Sequence, residues 1–377
     1  MNCNRLQAFG RLAIGFIVAC GMNPLSAQVT DLPTLDSGPE VVETFELENP
    51  VTVLDINDRP QILVGMEEGK LRIAFPNLPG AEAIVPVDGK ASYVKIIRPE
   101  EMDSWVASAA KGNYGPMLNG LRPQVKPLVR FLVIPTTRTN LHELFLRYYE
   151  SLILTGNLDE AVAVSTEMPW NRLSSEYMNL VERLVYRTIE EDNFEATEQL
   201  LSILSTVLTE EELANIAFPV ADAARTAGAH GLASKIYGSL ARSSDEELSE
   251  KSLLWAGYSK AVTGEAYQAR MILDQVPEME RGDENFLTYC LARGRLSYAE
   301  ENLNEGLRYL SQAMVLSSVK ASFKPELYYL LTVGYGETGQ DAAAERLARE
   351  FAIFYPDNPW LMKYQEEFGG SDETTLN

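Results

Sequence analysis

Histidine and cysteine are nearly missing from this sequence. Two histidines, His142 and His230, and three cysteines, Cys3, Cys20 and Cys290, are all that 377 residues contain. Two of the cysteines stand within the first 20 residues, so the rest of the chain holds one thiol and cannot close an internal disulfide. Neither histidine has a metal-ligand pattern around it. "HELFL" from His142 starts like a zinc-protease motif, but Leu146 stands where the second histidine belongs. No serine sits in a G-x-S-x-G turn, and no glycine-rich phosphate loop precedes a lysine. "DINDRP" from Asp55 is too short for a calcium loop and reads as a strand turn. Cys290 stands in an apolar column and reads as a structural thiol. The chain therefore lacks visible catalytic or metal chemistry, and no enzyme activity, metal or cofactor is expected.

Positive charge is also scarce. Lysine and arginine number 32 against 54 acidic residues, a formal net charge of −22. Such a surface repels phosphate backbones, which argues against nucleic acid as a partner. It favours solubility, and it would steer a basic partner.

Long apolar runs are absent apart from Leu12 to Met22. Arg5 and Arg11 precede that run, Asn23 and Pro24 follow it, and small residues stand at Ser26 and Ala27. Basic flank, apolar run and breaker, in that order, are the layout of a secretory signal over residues 1–27. The run is too short to span a bilayer permanently. Two processing routes compete. Cleavage after Ala27 would release a soluble chain, whereas "IVAC" resembles a bacterial lipobox whose Cys20 is acylated. Cleavage after Ala27 is preferred, because apolar sequence continues past Cys20. The expected location is exported and periplasmic or otherwise extracytoplasmic, with membrane contact only if Cys20 is lipidated. Residues 28–40, rich in proline and acid, read as a linker, and residues 369–377 as a disordered tail.

Residues 41–98 carry five short β-rich runs, "VTVLDI", "QILVGM", "LRIAF", "AEAIVPV" and "SYVKII", separated by turn residues. Alternation at Ile62, Val64 and Met66, and at Leu71, Ile73 and Phe75, predicts one apolar face. Gly69 fits a hairpin position that needs positive φ. The expected form is a small barrel or curved sheet of SH3-like size. Its role is either an N-terminal cap for the rest of the chain or a second docking module.

The remaining sequence repeats. Gly156, Gly228, Gly264 and Gly339 each precede an alanine by five residues: Ala161, Ala233, Ala269 and Ala344. With Glu191 and Glu301 filling the gaps, six turn sites stand 35, 37, 36, 37 and 38 residues apart. Twelve residues after each site stand Met168, Ile203, Leu240, Val276, Ala313 and Phe351, all apolar. Eleven before stand Phe145, Leu180, Ala217, Leu253, Cys290 and Tyr328. These offsets describe two helices around one turn, with a small residue where the second helix crosses the first. Such a unit cannot bury its apolar face alone, so neighbours must stack.

The pattern resembles the tetratricopeptide repeat family, whose units are helix–turn–helix of about 34 residues. The last unit carries it best, with Tyr328, Leu331, Tyr335, Gly339, Ala344 and Pro356. The resemblance implies a mainly α fold, a solenoid of repeats over residues 141–356. A degenerate first unit with its turn at Gly112, followed by a connecting insert, would occupy residues 99–140. A capping helix over residues 357–368 would close the stack. It implies binding of a protein or peptide partner on a concave groove lined by first helices, with Arg225, Tyr258, Arg295, Tyr298 and Tyr329 as groove candidates. The lysine and asparagine set that some members use to clamp a terminal carboxylate is not visible. The expected function is a non-enzymatic scaffold or assembly factor of the bacterial cell envelope. The alternative is a ligand- or glycan-binding module that uses the β domain, with the repeats as platform.

Overall fold

A computed structural model describes residues 44–89 and 92–368. The signal over residues 1–27, the linker over 28–40, the Cys20 lipidation site and the tail over 369–377 lie outside the described residues. One compact unit ends at Thr209 and the next begins at Glu210. No described helix is long and apolar enough to cross a membrane.

The first unit opens with a curled antiparallel sheet. Its strands are β1 (Phe45–Leu54), β2 (Pro60–Glu67), β3 (Lys70–Ala74), β4 (Glu82–Pro86) and β5 (Lys95–Ile96), in the order β4-β3-β2-β1-β5. Strands β4 and β5 are the two edges, so the described residues form a sheet and not a closed barrel. The β2–β3 hairpin turns on Glu68 and Gly69, both at positive φ, the geometry that suits the twist of two-residue hairpins. Leu71 and Ile73 point inward as the alternation predicts, but Phe75, just past the end of β3, is 39% exposed. In β2 the predicted phase fails at Ile62 and Val64 and holds at Met66. The pairing of β2 with β3 shifts between Leu63 and Gly65, so Leu63 and Met66 are buried while Ile62 and Val64 are half-buried. One irregular residue reverses which face the side chains meet.

Edge strand β5 is covered from within the unit. Val94 bridges to Thr139, and the Asn140 side chain pairs with the Ile96 backbone in both directions, accepting at 2.7 Å and donating at 2.9 Å. Phe45 packs edge-on against Phe131. The insert "KPLVRFLVIPTTRTN" thus docks the sheet, through 3₁₀ turns over Lys126–Val133 and Thr136–Arg138.

The helices of this unit are α1 (Met102–Ala109), α2 (Gly115–Val125), α3 (Leu141–Leu154), α4 (Leu158–Glu167), α5 (Ser175–Glu190) and α6 (Phe194–Val207). Glu160 of α4 joins three of its neighbours. It receives Arg122 of α2 at 2.7 Å, Lys126 at 2.8 Å and the Tyr148 hydroxyl of α3 at 3.0 Å. The second unit holds α7 (Glu210–Thr226), α8 (His230–Leu240), α9 (Glu246–Val262), α10 (Ala266–Leu273), α11 (Phe286–Ala299), α12 (Leu303–Leu316), α13 (Lys324–Glu337), α14 (Asp341–Phe354) and α15 (Pro359–Phe368).

One backbone device joins the helices of each hairpin. Positive φ occurs at Gly112, Gly156, Asp192, Gly228, Gly264, Glu301 and Gly339. At each, its N–H donates to the carbonyl three residues back, and the next N–H reaches five residues back. In the first full unit these bonds are Gly156 to Ile153 at 3.3 Å and Asn157 to Leu152 at 2.9 Å. The Gly264 turn repeats them at 3.2 and 2.9 Å, and the Gly339 turn at 3.0 and 2.7 Å. This is the Schellman ending, which satisfies carbonyls that the helix leaves free. The second turn sits at Asp192, one residue beyond the Glu191 read from the sequence. The crossing residue there is accordingly Thr197, fully buried, its hydroxyl 2.9 Å from that of Thr188. A threonine fills the alanine's place because its polar atom has a partner inside the hairpin.

Volumes are exchanged across each hairpin. Seven residues before and nine after the turn, Tyr149 meets Ser165 hydroxyl to hydroxyl at 2.6 Å. In two later hairpins the sizes reverse. Gly257 and Gly294 leave room for Leu273 and Leu310, whose Cγ atoms would lie 2.5 and 2.6 Å from an added Cβ. In these three hairpins a large side chain on one helix is matched by a small one on the other, as close packing requires.

The turn geometry predicts opposite effects from glycine and alanine. A Cβ at Gly264 meets nothing within 4 Å, so any cost of Gly264→Ala is backbone strain alone, about 1 kcal/mol. Glu301→Gly should raise stability by about 0.5–1 kcal/mol, because it removes that strain. Urea melts of the two variants should shift in opposite directions; a shared direction would contradict the turn assignment.

Candidate functional site

The five groove candidates all fall in the unit that begins at Glu210. Arg225 lies on α7, Tyr258 on α9, Arg295 and Tyr298 on α11, and Tyr329 on α13. Relative to their turns, Tyr258 and Arg295 are equivalent positions, as are Arg225 and Tyr298. These are all first helices of their hairpins, so the repeat itself carries the residues toward one region.

There Arg225, Tyr258, Arg295 and Tyr329 form a connected network, and Tyr298 bonds beside it. The Arg225 guanidinium lies 4.0 Å from the centroid of the Trp255 ring, and Trp255 meets Tyr258 edge-on at 5.4 Å. The Tyr258 hydroxyl donates to the carboxylate of Glu326 on α13. Arg295 donates to the same carboxylate through Nε at 2.9 Å. Tyr298 donates to the Leu330 carbonyl at 2.9 Å, and Tyr329 to Glu367 of α15 at 2.6 Å. Tyr258 and Glu326 are 68 residues apart, so the bond passes over a whole intervening hairpin.

Burial decides what this network can do. Tyr258 is 1% exposed, Glu326 4% and Tyr329 8%. The candidates are thus engaged with one another and do not stand open as separate anchors; Tyr298 is half-buried. Burial first, and the Glu326 charge second, push the Tyr258 hydroxyl well above its ordinary pKa, so it remains a donor. A buried carboxylate with a guanidinium and a phenol on it is costly to disrupt one partner at a time.

His230, the first residue of α8, lies beside this cluster with its ring 6.0 Å from Tyr258. Burial lowers its pKa, Arg295 and Arg225 add to that, and Glu326 opposes it. On the other side of α13, Lys324 is 7% exposed, and burial lowers its pKa. Its ammonium donates to the carbonyls of Met314 and Ser317, and so caps the end of α12.

The other residues with chemical potential in the sequence have structural surroundings. His142 is buried, with Nε2 2.8 Å from the Ile134 carbonyl and Nδ1 3.1 Å from the Tyr177 hydroxyl. Cys290 is fully buried, which pushes its thiol up to about 11. The Asp55 carboxylate accepts the Asn57 and Arg59 N–H groups and closes a strand turn. Among the described residues no three His, Cys, Asp or Glu side chains are grouped to hold a metal. An open acidic hollow of about 400 Å³ lies between the start of α9 and the loop before α11, with Glu246, Glu250, Glu278 and Asp283 on its walls.

The sequence pattern does not single out Glu326, Trp255 or Trp360. Glu326 does leave a signal: it is the lone charge in the run from Pro325 to Val333. No protein-family model matches this sequence, and no curated protein matches it.

Glu326→Leu should cost about 3 kcal/mol or more, because it strands the Arg295 charge in a buried site. Adding Arg295→Met should recover part of that loss in urea melts; additive losses would show that the pair is not coupled. His230 supplies a pH dependence. Its folded pKa is depressed, so the unfolded chain takes up a proton first as pH falls. Stability should therefore be full above about pH 6.5 and decline below it, and His230→Gln should flatten that decline. An unchanged profile would mean that His230 is solvated.

Proposed function

We propose that this chain is a helical-repeat interaction protein of the tetratricopeptide type, acting as a non-enzymatic scaffold or assembly factor after export to the cell envelope. Its partner, a protein or peptide, engages the first-helix side of the unit that begins at Glu210. One observation carries this reading: Arg225, Tyr258 and Arg295, from α7, α9 and α11, are joined through Trp255 and Glu326, and Tyr329 of α13 meets Arg295 across Trp360. Arginine and tyrosine dominate binding energy at protein interfaces, because each combines apolar area with directed hydrogen bonds. The repeat supports the same reading, since stacked hairpins present first helices side by side. The absence of a visible nucleophile, phosphate loop or ligand cluster in the sequence agrees with binding and not turnover. The signal-like residues 1–27 favour an encounter outside the cytoplasm, and acylation at Cys20 would add a membrane tether.

A photo-crosslinking phenylalanine at Tyr298, half-buried on the first-helix side, tests this directly. The control position is Tyr267 on α10, 76% exposed. In intact cells one dominant protein adduct should form from position 298 and not from 267. Equal adducts from both positions, or none from either, would count against the proposal.

A further inference from the structure

The C-terminal helix α15 is buried as little as α14, whose one buried residue is Phe351, and far less than α13, on which it packs. Leu361 is its one buried residue, whereas α13 buries ten of its fourteen. Met362 and Phe368 are 49% and 50% exposed. Yet α15 lies on two of the groove candidates. The Trp360 ring is 5.2 Å from that of Tyr329, and the Arg295 guanidinium is 5.8 Å from the Trp360 centroid. The Lys363 ammonium lies 5.0 Å from the Tyr329 ring centroid, and Glu367 accepts the Tyr329 hydroxyl. A helix held by one buried leucine, a half-buried tryptophan and a few polar contacts opens locally before a neighbour buried along most of its length.

We propose that α15 is a displaceable cover over Tyr329 and Arg295, and that the partner is an amphipathic helix that takes its place. The partner helix lays an aromatic ring where Trp360 lies, against Tyr329 and under Arg295. Nearly two turns further on it offers a carboxylate to the Tyr329 hydroxyl, as Glu367 does, about seven residues later at ordinary helical pitch. Grooves that take amphipathic helices read spaced anchors of this kind. The cover lowers apparent affinity by the fraction of time α15 is closed, so a partner must outcompete a tethered helix. The proposal rests on the reading that the first-helix side binds a partner, and it adds the partner's chemistry and a built-in competitor.

Amide hydrogen exchange on the full chain tests the cover without any partner. In the native protein, residues 359–368 should exchange at least ten-fold faster than residues 324–337. Trp360→Ala should speed α15 further and leave α9 and α11 unchanged. Equal protection of α15 and α13, or a Trp360→Ala effect spread over α9, α11 and α13, would overturn the cover. A fluorescent synthetic peptide with the sequence of residues 357–368 tests the partner chemistry. It should bind the full-length Trp360→Ala/Leu361→Ala chain at least ten-fold tighter than the native chain, and a further Tyr329→Ala change should abolish that gain. No preference for the opened chain would overturn the helix-exchange assignment. The exchange experiment needs no crosslink, so a rigid α15 with a clean Tyr298 adduct sinks the cover alone. A locally opening α15 with no adduct sinks the partner-binding reading instead.

Discussion

Each helical hairpin of this chain turns on one residue with positive φ, and the helices around it take their positions from that residue. The left-handed conformation ends the first helix abruptly and directs two N–H groups back to its last free carbonyls. The second helix then starts two residues on at six of the turns and three on at Gly112. Both bonds recur at each such turn. At every turn but Gly112, where Met117 stands, a small residue five positions later lets the second helix cross close to the first. Everything else in the helical part is side-chain volume fitted to that crossing.

In the unit that begins at Glu210, the consequence is a set of first helices buried on more than one face. Helix α13 is the extreme case, with Lys324 and Glu326 buried at one end of it. A helix surrounded by protein must satisfy any polar group it carries. Lys324 does so by capping α12, and Glu326 by joining Tyr258 and Arg295. The residue types that make an inner helical face attractive to a partner are the same types that stabilise it from within. Under the proposed function, partner capture would draw on the network that packs these helices, and α15 lies on two of its members, Tyr329 and Arg295.

Much of the architecture is legible in the sequence. Glycine and alanine five apart mark the turn and the crossing because backbone sterics leave few other choices there. The turn at Asp192 lies one residue from its expected place, because aspartate can enter the left-handed region without announcing it. In β2 the alternation marks a strand correctly, and its phase holds at Met66 but not at Ile62 and Val64, because the register shifts between Leu63 and Gly65, and a single displaced residue has no composition signature. The candidate site is legible in part. The offsets assign the five residues to first helices. They do not reveal burial, because that depends on Glu326 and Trp360 arriving from helices two hairpins away. Contacts of that range are set by how tightly hairpins stack, and one sequence does not encode it locally.

Handedness at the turn underlies all of this, and Gly339 is near enough to the end of the chain for a synthetic C-terminal segment to carry a D-residue there. Its φ is +72°, and a Cβ there has open space. D-Alanine prefers this conformation and L-alanine resists it. D-Alanine at position 339 should stabilise the ligated protein relative to glycine by about 1 kcal/mol in urea melts, while L-alanine destabilises it by a similar amount. Equal shifts from the two enantiomers, or a reversed order, would contradict the central role of the turn.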